Sequence, residues 1–124
     1  MKTLIIQLWQ ASLDAPQFAA TPFVLAQAAR AMDMNVEMHA LGQSVELFLQ
    51  DDPRRQQPIT PLNRPLAQYI EDALVMGVSV HLCSTAMRDR GLDLQGFIAG
   101  EIQIVGMVSM LETIAQTDTT VLTY

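Results

Sequence analysis

Residues 78–91 read VSVHLCSTAMRDRG, and this pattern predicts a strand that turns directly into a helix. The apolar residues alternate as in a short buried strand: Val78, Val80 and Leu82. Residues 84–90 are predicted to be helical, and Gly91 suits the left-handed position at which many helices end. The only cysteine of the chain, Cys83, therefore falls where the strand ends. In parallel α/β folds, ligands and chemistry collect at this edge of the sheet.

Two interpretations of Cys83 follow from this position. The free N–H groups in the first turn of a helix stabilise a nearby anion by about 0.3–1 kcal/mol, which favours a reactive thiolate. A small buried apolar residue fits equally well, because free cysteine is among the most buried residue types. A single cysteine cannot form an internal disulfide, so we expect a cytoplasmic protein.

Strands and helices alternate on both sides of this stretch. Strands are predicted at residues 3–9, 34–41, 78–82, 97–99 and 119–124. Helices are predicted at residues 21–33, 44–50, 65–74, 84–90 and 107–116. This alternation predicts one α/β domain over residues 1–124, with a mostly parallel five-stranded sheet between two helical layers.

Three local features carry further expectations. Thr21 and Pro22 resemble a helix N-cap followed by proline in the first turn. Residues 51–62 hold three of the six prolines and several charges, which predicts a polar, exposed and mobile loop. The last helix is expected to turn its apolar residues inward: Met107, Val108, Leu111, Ile114 and Ala115.

Composition excludes several classes of function. The net charge is −6, with one lysine and six arginines, so the chain should repel nucleic acid. No apolar run reaches the length of a membrane span. The first residues resemble a signal peptide, but Gln7 and Gln10 interrupt the apolar run, and a first strand fits better. Half of the residues are hydrophobic and the mean hydropathy is +0.22, which indicates a homo-oligomer.

Four further side chains are candidates for chemistry. His81 precedes Cys83 by two residues, so both should project to one face of the strand. His81 could stabilise the thiolate or move its proton, or it could be a structural histidine bonded to the backbone. His39 is expected at the surface. Glu101 should follow a strand at the carboxyl edge, as a general base or as a solvated carboxylate. Arg90 lies too far along the helix to reach the sulfur, and a structural or partner-facing role suits it better.

The sequence predicts neither a metal site nor a cofactor. No Cys, His and carboxylate spacing matches a zinc site, and neither GxGxxG nor a Walker A loop is present. The eight methionines are better explained as core or oligomer contacts.

The chain resembles the DsrE/DsrF-like family of sulfur relay proteins. The resemblance rests on Val80-His-Leu-Cys83, on Ala86 and on Arg90-Gly91, together with GFIAGEIQIVGM at 96–107 and TTVLTY at 119–124. It spans nearly the full chain and implies a flavodoxin-like subunit that assembles as a homotrimer or homohexamer. It also implies that Cys83 accepts sulfur as a persulfide and hands it to a partner protein.

The leading hypothesis is therefore a sulfurtransferase-like carrier that moves sulfane sulfur from a donor protein to an acceptor protein through Cys83. His81 would be its proton partner and Glu101 a weaker candidate. Two alternatives stay open. One is a non-catalytic oligomeric module, regulatory or interacting, in which Cys83 is packing. The other is a binder of a small ligand or nucleotide at the strand rim.

Overall fold

The computed structural model describes residues 2–124 and contains one five-stranded parallel sheet. Its strands are β1 (Thr3–Leu8), β2 (Asn35–Ala40), β5 (Ser79–Cys83), β6 (Ile102–Val105) and β7 (Thr119–Thr123). The α-helices are α1 (Pro16–Ala31), α2 (Leu66–Val75), α3 (Ser84–Asp89) and α4 (Met107–Ile114). Shorter elements are 3-10 helices at Gly42–Phe48, Pro53–Gln56 and Leu94–Gly96, and a hairpin of β3 (Pro58–Ile59) and β4 (Arg64–Pro65). The predicted α/β class and sheet are confirmed, and every strand pair in the sheet is parallel.

The strand order decides which face each helix covers. The order is β6-β5-β2-β1-β7, so the chain steps in one direction from β1 to β6 and then returns across the whole sheet to β7. Because such crossovers are right-handed, α1, α2 and α3 lie on one face and α4 lies on the other. Three helices therefore cover the first face, while a single helix of eight residues serves the second.

The hydrophobic core lies between the sheet and the first helical layer. Strand residues with alternating spacing supply it, among them Leu4, Ile6, Leu8, Val36, Met38, Val80 and Leu82. Helix residues meet them there, including Phe23, Ala26, Ile70 and Met87. No helix within residues 2–124 combines the length and hydropathy needed to cross a bilayer.

The start of α1 corrects the sequence-based prediction. The helix begins at Pro16, with Ala15 at the N-cap, and Pro22 lies inside it. Pro16 therefore occupies the early position that was assigned to Pro22. The missing N–H of Pro22 costs one helical hydrogen bond. Burial of Ala19, Ala20 and Phe23 along the extended helix offsets that cost.

The fourth predicted strand, at 97–99, is also wrong. Phe97 forms only an isolated antiparallel bridge with Leu49, and the true strand is Ile102–Val105. Gly100, at φ 149°, separates the two segments in a conformation that side chains rarely allow. The error moves Glu101 from the end of a strand to a position just before one.

Residues 51–62 are folded more tightly than a polar loop would be. The Arg54 guanidinium pairs with Asp52 at 2.7 Å, with Asp14 at 2.9 Å and with Glu46 at 3.1 Å. Arg55 is only 4% exposed, and its Nε donates a hydrogen bond to the Leu47 carbonyl at 2.9 Å. The prediction of a fully exposed loop is therefore wrong at Arg55.

The predicted inward face of α4 is wrong as well. Met110 is buried, whereas three apolar residues of this helix point to solvent: Met107, Val108 and Leu111. The apolar content that suggested a core position instead forms an exposed surface beside the sheet.

Candidate functional site

Cys83 is the last residue of β5 and the N-cap of α3, as the sequence predicted. Its backbone is extended, at φ −61° and ψ 123°, and its side chain makes no capping hydrogen bond. The residue is 3% exposed and belongs to the buried apolar cluster. The thiol thus sits at the carboxyl edge of the sheet but just below the surface of the single chain.

Polar side chains form a row across all five strands, one residue from each strand. The in-register positions are Thr123, Gln7, His39, His81 and Gln103. Thr123 Oγ1 donates to Gln7 Oε1 at 3.3 Å, and the Gln103 amide lies 3.2 Å from His81 Nε2. These residues alternate with the core-facing ones, so the polar row lies on the α4 face of the sheet.

Glu37 joins the two histidines of the polar row into a compact cluster. Its Oε1 lies 3.6 Å from His39 Nε2 and 3.4 Å from His81 Nδ1. The imidazole rings are stacked, with centroids 5.1 Å apart and an interplanar angle of 14°. These three residues are the group of side chains within 2–124 that could hold a metal ion, with ligand atoms all within 4.8 Å of one another.

His39 is unusual because it is fully buried and both its ring nitrogens are without a hydrogen-bond partner. Burial lowers the pKa of His39, His81 lowers it further, and Glu37 acts in the opposite direction. The ring is therefore neutral at pH 7, with one free lone pair. The expectation of a surface histidine is wrong, because that expectation treated the α4 face as open at β2.

The structure brings together only part of the predicted site. By strand alternation, His81 and Cys83 share a face of β5, about 6.6 Å apart along the strand. The polar contacts of His81 are to Glu37 and Gln103. Glu101 precedes β6, and its carbonyl accepts from Val80 N–H at 2.8 Å, so it lies at the amino end, away from Cys83.

Arg90 has the structural role that the sequence favoured. Its Nε lies 3.3 Å from Glu46 Oε2, and its Nη1 donates to the Ala86 carbonyl at 3.2 Å. It therefore ties the end of α3 to the 3-10 helix at Gly42–Phe48.

Sequence reasoning missed Glu37 and the pairing of the two histidines. The signal was present as Glu37-x-His39, whose side chains share a face in a strand. What the sequence could not supply was the register that sets His39 beside His81.

A five-stranded parallel sheet with a cysteine at its carboxyl edge defines a class of small α/β proteins. The chain belongs to the DsrE/DsrF-like family, whose model matches residues 5–123. No curated protein matches the chain.

Solved structures share this fold. The YchN protein of E. coli is 21% identical, with a TM-score of 0.73, and the match covers 100% of this chain and 99% of that one. MTH1491 of Methanobacterium thermoautotrophicum, titled a protein of unknown function, is 13% identical, with a TM-score of 0.72 and full coverage of both chains. BT1422 of Bacteroides thetaiotaomicron is 14% identical, with a TM-score of 0.65, covering 98% of this chain and 94% of that one. At these identities the likeness shows the fold.

Proposed function

We propose that this protein carries sulfane sulfur as a persulfide on Cys83 and passes it between a donor and an acceptor protein. Family membership indicates a role connected with sulfur relay. The observation that carries the finer proposal is the place of Cys83, the only thiol, at the strand–helix junction on the carboxyl edge of the sheet.

The chemistry needs only sulfur atoms and a proton. The Cys83 thiolate attacks the outer sulfur of a donor persulfide, a new S–S bond forms at Cys83, and the donor leaves as a thiolate. An acceptor thiolate then attacks the outer sulfur, and Cys83 leaves as a thiolate. Each step exchanges one S–S bond for another, so no external oxidant is required.

Burial of Cys83 sets a condition on this exchange. With 3% of the residue exposed, a donor sulfur reaches Sγ only when the edge formed by β5 and α3 opens. Docking of the donor protein at that edge would supply the opening, which makes transfer selective for a partner over small thiols.

A mass measurement tests the carrier proposal. The protein is incubated with a persulfide donor and its intact mass is recorded. Wild type should gain one sulfur atom, and Cys83→Ser should gain none. Ser84→Ala, at the adjacent residue, should keep the adduct. A wild type without an adduct, or a Cys83→Ser protein with one, contradicts the proposal.

His81 enters this proposal as the proton partner of Cys83. It shares a face of β5 with the cysteine, and a cationic imidazole at that distance favours a thiolate. Glu101 is left out, because it lies at the opposite end of the sheet.

A homo-oligomer is the second part of the proposal. The exposed apolar residues of α4 lie beside a sheet face that has one helix of its own. A second copy of the chain that packed there would remove this apolar surface from water.

The burial of Cys83 also favours a second candidate function, a non-catalytic interaction module in which the cysteine is packing. The two candidates differ in thiol chemistry. A carrier should be alkylated in its native state at neutral pH, whereas packing would leave Cys83 unmodified until the protein is unfolded.

A further inference from the structure

We propose that Glu37, His39 and His81 form a binding site for a divalent transition-metal ion of the zinc type, through one carboxylate oxygen and two imidazole nitrogens. The site lies on the α4 face of the sheet and is separate from the sulfur chemistry of Cys83. It does not depend on the carrier function.

The spacing of the ligand atoms fits a common ion. Two ligands at about 2.0–2.1 Å from a tetrahedral zinc lie about 3.3–3.4 Å from each other. Glu37 Oε1 is 3.4 Å from His81 Nδ1 and 3.6 Å from His39 Nε2. Small side-chain movements therefore suffice to place all three around one ion.

The rigid part of the site is its pair of adjacent strands. Glu37 and His39 are alternate residues of β2, and His81 is the register partner of His39 in β5. Ligands held on packed strands need little ordering when an ion binds. The stacked rings must open from their 14° angle, because each lone pair lies in its ring plane, and the terminal imidazole torsion permits that rotation.

The second observation is the lack of partners at His39. A polar side chain with no exposed surface usually has a hydrogen bond, yet both ring nitrogens of His39 have none. An ion bound at Nε2 would satisfy one of them. Glu37 and His81 have side chains 14% and 13% exposed, which gives an ion a way in from solvent.

Gln103 completes the arrangement around His81. Binding through Nδ1 puts the ring proton on Nε2, which lies 3.2 Å from the Gln103 amide. That proton can be donated to the amide oxygen once the amide is turned over, and this outer hydrogen bond fixes the ring. A water would occupy the fourth ligand position.

The ligand chemistry selects the class of ion. Imidazole nitrogens suit Zn²⁺ and its first-row neighbours, whereas Mg²⁺ and Ca²⁺ prefer sets of oxygen ligands. We therefore use Zn²⁺ alone as the probe and Co²⁺ as its spectroscopic substitute.

The experiment is a titration of untagged, chelator-treated protein with Zn²⁺ against a coloured competing chelator. Wild type should bind one equivalent. Glu37→Gln and His81→Asn should each weaken binding by more than about tenfold, since even outer partners of a metal cost that much. Cys83→Ser and Glu101→Gln, outside the site, should bind as wild type does. Co²⁺ should give visible bands without a sulfur charge-transfer band.

A readout on wild type alone guards against variants that fail to fold. The chain has two histidines, so its imidazole NMR signals report directly on the two nitrogen ligands. Both sets should move with one equivalent of Zn²⁺. The proposal is overturned if neither set moves, if folded wild type binds no Zn²⁺, or if folded Glu37→Gln and His81→Asn bind as tightly as wild type. Loss of binding in Cys83→Ser would overturn it too, by assigning the ion to the thiol.

Discussion

Cys83 and His81 lie about 6.6 Å apart along β5, so the imidazole acts on the thiol through its charge and not through a hydrogen bond fixed by the backbone. Glu37 and Gln103 hold the ring in place from the side. His81→Ala should move the pH midpoint of Cys83 alkylation upward in chelator-containing buffer, because a cation near the sulfur is lost. Glu46→Gln, on another element, should not move it. An unchanged midpoint with lowered stability would restrict His81 to the polar row.

Gly91 shows how one residue ends α3. Its φ is +64°, and a Cβ added there would meet nothing within 4 Å, so the cost of a side chain is purely one of backbone conformation. Gly91→Ala should lower the free energy of unfolding by about 1 kcal/mol. Gly96→Ala is the matched control, because Gly96 lacks a positive φ and its nearest neighbour, Leu49 Cδ2, is 3.9 Å away. Denaturant unfolding of both variants measures the difference, and equal losses would contradict this account.

At the scale of elements, Arg54 joins three segments of the chain through Asp52, Asp14 and Glu46. Hydrogen bonds from Arg54 lower the pKa of Asp52 below its ordinary 3.8, although its burial acts the other way. A carboxylate with a lowered folded-state pKa contributes stability above its unfolded pKa and loses it as the pH falls through the folded value.

Asp52→Asn should therefore lower the free energy of unfolding by about 1 kcal/mol at pH 7. The gap between wild type and variant should stay constant above about pH 5 and narrow below about pH 4. Urea unfolding across this range checks it, with Asp51→Asn at the exposed neighbouring carboxylate as the control. A gap that is independent of pH down to pH 2 would show that the lost contact is not ionic.

Elements with strong local signals were predictable from the sequence. Strands β1, β2, β5 and β7 and the α3 terminus at Gly91 are close to their predicted places, because their apolar alternation and turn residues agree with the tertiary fold. The start of α1 was not predictable from capping residues, because burial of its first turns outweighs the proline at position 22. The His39–His81 contact is set by strand register, which one sequence does not encode locally.

The whole molecule is asymmetric about its sheet. One face is closed by α1, α2 and α3, while the other carries the polar row and α4. Strand order imposes this, since only the return from β6 to β7 places a helix on the second face. A histidine pair and an exposed apolar helix therefore share one side of the protein, which makes that side the place where both an ion and a second copy of the chain would bind.

The exposed face of α4 gives a direct test of assembly. Val108 is 71% exposed and Leu111 58% exposed, and an interface would bury both. Leu111→Glu should shift the protein from a trimer or hexamer to a monomer of 13.7 kDa in light scattering at micromolar concentration, because a carboxylate buried in an apolar interface is costly. Leu62→Glu changes an equally apolar residue, 75% exposed, in the turn between β3 and β4, and should leave the assembly intact. A monomeric wild type would contradict the homo-oligomer, and dissociation by Leu62→Glu instead would move the interface from α4 to the hairpin.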